Sequence, residues 1–139
     1  MYLLDTNVIS ELRKSKTGKA DPNVTAWAKS VPAASLFLSV ITILELEIGV
    51  LLIERRDAAQ GAVLRAWLKT HVLPAFTERI LPVDTAVAQS CAKLHVPDRH
   101  SDRDALIAAT ALTHGLTMVS RNTGDFNSTG VDLLNPWRA

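Results

Sequence analysis

A chain of 139 residues, 47% hydrophobic and 21% charged, carries enough apolar material for a folded domain with a real core, and residues 1–139 are read as one domain. A formal net charge of +1 gives no global attraction to nucleic acid, so a nucleic-acid function would rest on local basic patches, added cations or a basic partner. One cysteine, Cys91, excludes an intramolecular disulfide and a cysteine-rich zinc centre.

In chain order, the opening "MYLLDTNVIS" sets a short apolar run, Tyr2–Leu4, before the acid Asp5. It lacks a signal peptide's basic start and long apolar segment, so a cytoplasmic protein is expected. "DPNVTAWAKSV" predicts a helix with Asp21 as N-cap and Pro22 in its first turn, burying Val24, Trp27 and Val31. "SLFLSVITILELEIGVLLIE" is apolar enough to be tested as a membrane span. Its interior glutamates and its Ser, Thr and Gly positions argue instead for a buried strand, Leu36–Val40, followed by a buried helix. "AVLRAWLKTHVL" groups Leu64, Trp67 and Leu68 on a helix that Pro74 ends. A strand at Ile80–Val83 precedes "DTAVAQSCAKL", where Asp84 caps a helix that stacks Val87, Cys91 and Leu94. In "SDRDALIAATAL", Asp104, Ile107, Ala108 and Ala111 fall at i, i+3, i+4 and i+7, while Asp102 and Arg103 point towards water. Apolar runs at Leu116–Val119 and Val131–Leu134 complete five short strands.

Strands alternating with helices imply an α/β fold with a mostly parallel sheet covered on both faces. Ligands in such folds bind beyond the carboxyl ends of the strands, where the strand order reverses. Asp5 ends the first strand, Glu45 lies near the start of the helix after the second, and Asp125 follows the fourth. Asp104 sits on the helix leading into the fourth strand, sharing a stripe with apolar side chains, where an unpaired carboxylate needs compensation. Each acid also has a structural explanation. Asp5 suits a helix N-cap. Thr42 and Glu45 fit a capping box, with Glu45 at the third helical position. Asp125 lies in "SRNTGDFNSTG", rich enough in turn residues for an Asx-turn. Glu47 reads as a solvated or paired charge, and Cys91 as a buried core thiol. The histidines show neither HxH nor HExxH spacing, and no P-loop, GxGxxG or GxSxG signature is present.

"LLDTNVISEL", "SVITILELEIGV" with E-L-x-x-G at Glu45 to Gly49, "DRDALIAATAL", "LTMVSRNTGDF" and "LLNPW" occur in this order along nearly the whole chain. Together they resemble the PIN domain, and most closely its small prokaryotic members, the VapC and FitB type toxins of type II toxin–antitoxin pairs. The resemblance maps the family's acidic quartet onto Asp5, Glu45, Asp104 and Asp125, with Thr6, Asn7, Ser120 and Asn122 as supporting polar residues. It implies a Rossmann-like three-layer α/β/α sandwich with the first strand central, and a metal-dependent endoribonuclease.

Oxygen ligands without Cys or His suit Mg²⁺, with Mn²⁺ as an alternative. Asp5 and Asp104 are expected as the primary ligands, and Glu45 and Asp125 as secondary ligands or water-positioners. Arg13, Lys14, Lys16 and Lys19, Arg55 and Arg56, and Arg121 are candidates for gripping RNA, although a solvated charge explains each of them simply. The family further implies a homodimer and a cognate antitoxin, with DNA reached only through that antitoxin. Two other functions use the same sequence: the dimeric body of a FitAB-like DNA-binding repressor, and a metal-dependent phosphatase or nucleotide hydrolase.

Overall fold

The computed structural model describes residues 1–138. Five short strands, β1 (Tyr2–Leu4), β2 (Leu36–Ser39), β3 (Ile80–Leu81), β4 (Thr117–Val119) and β5 (Leu133–Leu134), form one sheet in the order β3-β2-β1-β4-β5. Every neighbouring pair is parallel. The alternation of strand side chains explains why both faces need cover. Leu4, Leu36, Leu38 and Val119 enter one apolar cluster, whereas Leu3, Phe37 and Met118 enter the cluster on the opposite face. Helices close each side, giving an α/β sandwich with β1 at its centre.

The first face is covered by α1 (Thr6–Arg13), α2 (Pro22–Ser30), α3 (Val40–Arg56) and α4 (Ala58–Trp67), which supply Val8, Val24, Leu46 and the packed Trp67. Pro22 opens α2, and Asp21 accepts the Asn23 and Val24 N–H groups, as the sequence predicts. The second face is covered by α7 (Asp102–His114), through Ile107, Ala108 and Ala111, and by Phe126. Behind α7 lies α6 (Thr85–Leu94), capped by Asp84 on the Val87 N–H. Cys91 is buried there with Val87, Ala105 and Ala109, and burial pushes its thiol pKa up.

Three sequence expectations change. The helix through Leu64, Trp67 and Leu68 does not end before Pro74. It widens into a π turn over Leu68–Val72 and continues through α5 (Leu73–Ala75), where the N–H that proline lacks falls beside an already altered hydrogen-bond ladder. Helix α3 is not buried all round. Thr42, Leu46 and Val50 face the core, but Leu44, Ile48, Leu51 and Leu52 form an exposed apolar stripe, with Val63 of α4 also exposed. Finally, α3 starts earlier than the capping-box reading requires. Ser39 is its N-cap and accepts the Ile41 N–H, which places Glu45 in the second turn instead of at the third position. No helix among the described residues is long and apolar enough to cross a membrane.

Asp57 ends α3 and caps α4 on the Gln60 N–H, so the chain reverses at a single residue. Gly61 lets the two helices meet closely: a Cβ built there would lie 2.5 Å from the Glu54 Cα. Arg65 then ties α4 back to α3 through Glu47 at 2.6 Å and Glu54 at 3.1 Å, so Glu47 is the paired charge expected of it.

Candidate active site

The strand order reverses around β1, and the residues just past β1 and β4 meet there. Asp5 continues β1, its N–H donating to the Val119 carbonyl at 2.8 Å, while Ser120 continues β4, its N–H donating to Leu134. Asp5 is also the N-cap of α1, so the capping explanation holds for this residue, yet capping uses one oxygen only. Its Oδ1 accepts the Thr6 N–H at 2.8 Å, and its Oδ2 accepts the Ser120 hydroxyl at 2.8 Å. Ser120 is fully buried, and it also accepts the Asn122 N–H at 3.0 Å. Asn7 adds its amide nitrogen 3.4 Å from the Ser120 Oγ and accepts the Arg121 N–H at 3.3 Å. The four supporting polar residues therefore all act within this corner: Asn7, Ser120 and Asn122 around the Asp5 carboxylate, and Thr6 at both Asp5 and Glu45.

Glu45 reaches the same place from α3. Thr6 Oγ1 donates to Glu45 Oε1 at 2.7 Å and stands 3.3 Å from the hydroxyl of buried Thr42. Asp104, in the first turn of α7, completes a cleft of about 440 Å³ lined also by Asp5, Thr6, Asn7, Glu45 and Asn122. Asp125 lies outside that lining, exposed on the 3-10 segment Thr123–Thr129, yet near enough to act electrostatically on Asp104. Three of the four acids thus share one cleft, and the fourth stands at its edge. An Asx-turn does not account for Asp125: among the described residues its side chain accepts no hydrogen bond, while its N–H donates to the Asn122 carbonyl at 3.1 Å.

The electrostatics follow from that convergence. Burial raises the Asp5 pKa, the Ser120 and Thr6 bonds oppose the rise, and the charges of Asp104 and Glu45 add to it. Asp104 is likewise raised by burial, then by Glu45 and Asp125, with Arg103 opposing. Among the described residues the ion pairs are made by Glu11, Glu47, Glu54, Asp102 and Glu45, so Asp104 faces its neighbours without a cationic partner of its own. No three acids, histidines or thiols among the described residues are gathered tightly enough to enclose a metal by themselves. An oxygen-only donor set of this kind suits a hard cation that keeps several waters, as Mg²⁺ does, rather than a fully caged ion.

Residues beyond the acids and their polar neighbours also stand at the cleft, among them Lys14 and Arg121, two of the candidates for gripping RNA. Arg103 is exposed to water, as its helical position predicts, and stands beside the cleft with its guanidinium 3.8 Å from Glu45 Oε2. Ser10 and Glu11 of α1, and Lys14 just past its end, line one wall. Their signal was present in the sequence: Asn7, Ser10, Glu11 and Lys14 make a polar i, i+3, i+4, i+7 stripe. Glu11 also has a structural task, accepting the Asp21 N–H at 2.8 Å. Trp137 packs on the core and also forms part of the cleft rim.

The family model for the PIN domain matches residues 2–131. The chain belongs to the PIN domain family. It is 37% identical over 142 aligned residues to the VapC ribonuclease Y4jK of Sinorhizobium fredii, covering 99% of this chain and 98% of the relative. It is 40% identical over 143 residues to the toxin FitB of Neisseria gonorrhoeae, covering 99% of each. The crystal structure of FitAcB from Neisseria gonorrhoeae superposes with a TM-score of 0.90 at 38% identity, each chain being covered in full. A structure of FitAB bound to an IR36 DNA fragment gives the same TM-score at 35% identity, covering 100% of this chain and 97% of that one. This PIN domain is therefore of the VapC and FitB type, and its parallel α/β fold is the one it shares with the FitB structures.

Proposed function

We propose that this chain, acting as a single PIN domain over residues 1–139, is the endoribonuclease toxin of a type II toxin–antitoxin module and cleaves RNA in the cytoplasm with Mg²⁺ or Mn²⁺. The observation that carries the reading is the cleft at the carboxyl ends of β1 and β4, where Asp5, Glu45 and Asp104 converge and, among the described residues, Asp104 makes no ion pair. The similarity to a VapC ribonuclease and to FitB supports the nuclease and toxin assignment.

Asp5 and Asp104 would hold the cation directly, with Glu45 and Asp125 reaching it through water. A divalent cation bound there supplies Lewis-acid polarisation of the phosphodiester and acidifies water at neutral pH. The chain's own residues prepare that site. Ser120 and the Thr6 N–H fix both oxygens of Asp5 while leaving further lone pairs free. Thr6 Oγ1 holds Glu45 by one oxygen, leaving the other to position water and to meet Arg103. Hydrolysis joins a water oxygen to phosphorus and breaks the P–O3′ bond. The RNA 2′-OH has no required part in that step, so selection of RNA falls to contacts around the cleft.

We also infer a homodimer and a complex with a cognate antitoxin, with DNA met only through that antitoxin. The exposed stripe of Leu44, Ile48, Leu51 and Leu52 supports a partner chain on α3, since such a patch is what a protein interface covers. The function is tested by incubating the purified chain with Mg²⁺ or Mn²⁺ and structured RNA, single-stranded DNA or small phosphate esters. Cleavage of RNA alone, reduced about 100-fold or more in Asp5→Asn and Asp104→Asn, is the expected result. Hydrolysis only of small esters, or no hydrolysis by a folded protein, would overturn the assignment.

A further inference from the structure

The cleft is rich in carboxylates, yet its proposed substrate is a polyanion, so some cation must receive the RNA backbone. Three cationic side chains stand at or beside it, and two are already engaged. Lys14 Nζ lies 3.4 Å from Glu11, and the Arg103 guanidinium lies 3.8 Å from Glu45. Arg121 has no carboxylate partner among the described residues. Its guanidinium carbon instead sits 5.4 Å from the centre of the Trp137 ring, and both residues line the cleft that contains Asp5 and Asp104.

This arrangement is built from both ends. The Arg121 N–H donates to Asn7 Oδ1, and its carbonyl accepts from Asn135 Nδ2 at 3.4 Å. Asn135 Oδ1 in turn accepts the Trp137 N–H at 3.0 Å, and the Trp137 carbonyl accepts from Asn23 Nδ2 at 2.9 Å. One asparagine therefore ties the backbone of the arginine to that of the tryptophan. The indole packs against the apolar core, so it offers the guanidinium a fixed face. Stacking on an aromatic face leaves the edge N–H groups of an arginine free, and that planar fork matches two phosphate oxygens.

We propose that Arg121, positioned by Trp137, is the group that grips an RNA phosphate at the rim of the cleft, next to the bond that is cut. The inference rests on the nuclease reading above and names a substrate-binding residue for it. Trp137 acts through Arg121 and is a positioning residue. The grip operates on the bound substrate, so it governs KM and salt dependence and leaves kcat nearly unchanged.

The test compares Arg121→Ala, Arg121→Lys and Trp137→Leu with the wild type. Two readouts are used: steady-state cleavage of a labelled single-stranded RNA, and anisotropy of that RNA on an Asp5→Asn background across a series of NaCl concentrations. Arg121→Ala should raise KM by roughly tenfold, as expected for one charge-assisted bond, with kcat within about twofold. Its plot of log affinity against log salt should be shallower by about 0.7, the share of one single-strand phosphate contact. Arg121→Lys should keep the wild-type slope while losing part of the affinity, because the charge remains and the fork does not. Trp137→Leu should raise KM by a smaller factor at unchanged slope. Unchanged KM and slope in Arg121→Ala, with a wild type that cleaves RNA, would overturn the inference and leave the nuclease reading standing. A fall confined to kcat would also overturn it, by moving Arg121 to the reacting centre. A folded wild type that neither binds nor cleaves RNA would remove the nuclease reading and this inference with it.

Discussion

Asp104→Asn should change the sign of its effect on stability when a divalent cation is added. In the metal-free protein the Asp104 carboxylate is raised above its ordinary pKa by burial and by the charges of Glu45 and Asp125. A raised native pKa means that the charged form is disfavoured by folding, so its contribution is favourable below the unfolded pKa and is lost as pH rises through the native one. At neutral pH the ionised side chain therefore opposes folding, and replacing it with asparagine should raise the melting temperature in a chelating buffer. That advantage should shrink as the pH is lowered through the raised native value and be gone below the ordinary aspartate value of 3.8. With cation present the order should invert. A ligand bound only to the folded state adds about 2.7 kcal/mol at a hundred times its dissociation constant. With an unfolding entropy of about 2.1 cal/mol/K per residue over 139 residues, that gain corresponds to about 9 °C. Asp104→Asn, lacking one proposed ligand, should show only a small part of it. The assay is thermal unfolding followed by circular dichroism with Mg²⁺, Mn²⁺ or NaCl at matched ionic strength, since monovalent salt only screens. A wild-type curve that tens of millimolar Mg²⁺ and Mn²⁺ leave unmoved, or an Asp104→Asn curve that moves as far as the wild type, would refute the reasoning.

Ser120→Ala removes a buried donor from Asp5 and the acceptor of the Asn122 N–H, so it should destabilise the fold by about 1–3 kcal/mol in urea denaturation and reduce cleavage. Stability equal to the wild type would show that Asp5 does not depend on this hydroxyl. For Glu45→Gln, the amide oxygen can still accept from Thr6, and no capping box is lost because Ser39 caps α3. Its melting temperature should stay close to wild type while RNA cleavage falls at least tenfold, as for a lost ligand or water-positioning charge; full activity would remove Glu45 from the site. Gly61→Ala would drive a methyl into the Glu54 backbone, and the overpacking penalty of about 1–3 kcal/mol should exceed the helix-propensity gain of up to about 1 kcal/mol. A melting temperature at or above wild type would mean that α3 and α4 separate freely.

The local chemistry of the chain determined much of this molecule. Apolar runs of strand length, Asp21 before Pro22 and Asp84 before a helical stripe are signals carried by neighbouring residues, and the helices start where those signals stand. Asp5 and Ser120 could be placed at strand ends for the same reason, because a strand that stops at an acid or a serine leaves it at the sheet's edge. Tertiary structure decided what several side chains meet. Ser39 and Thr42 are both chemically able to cap α3; the choice is made by the end of β2 against β3, and by Thr42 turning inward to the Thr6 hydroxyl. That choice moved Glu45 from a capping position to the cleft. Helical spacing gave Arg103 a solvent-facing angle, which it keeps; that its long side chain also reaches Glu45 is something periodicity does not encode. The same limit applies to α3 and to Trp137. An apolar sequence reports that a surface prefers to leave water, and only the packing of the whole chain leaves Leu51 and Leu52 uncovered and brings Trp137 beneath Arg121.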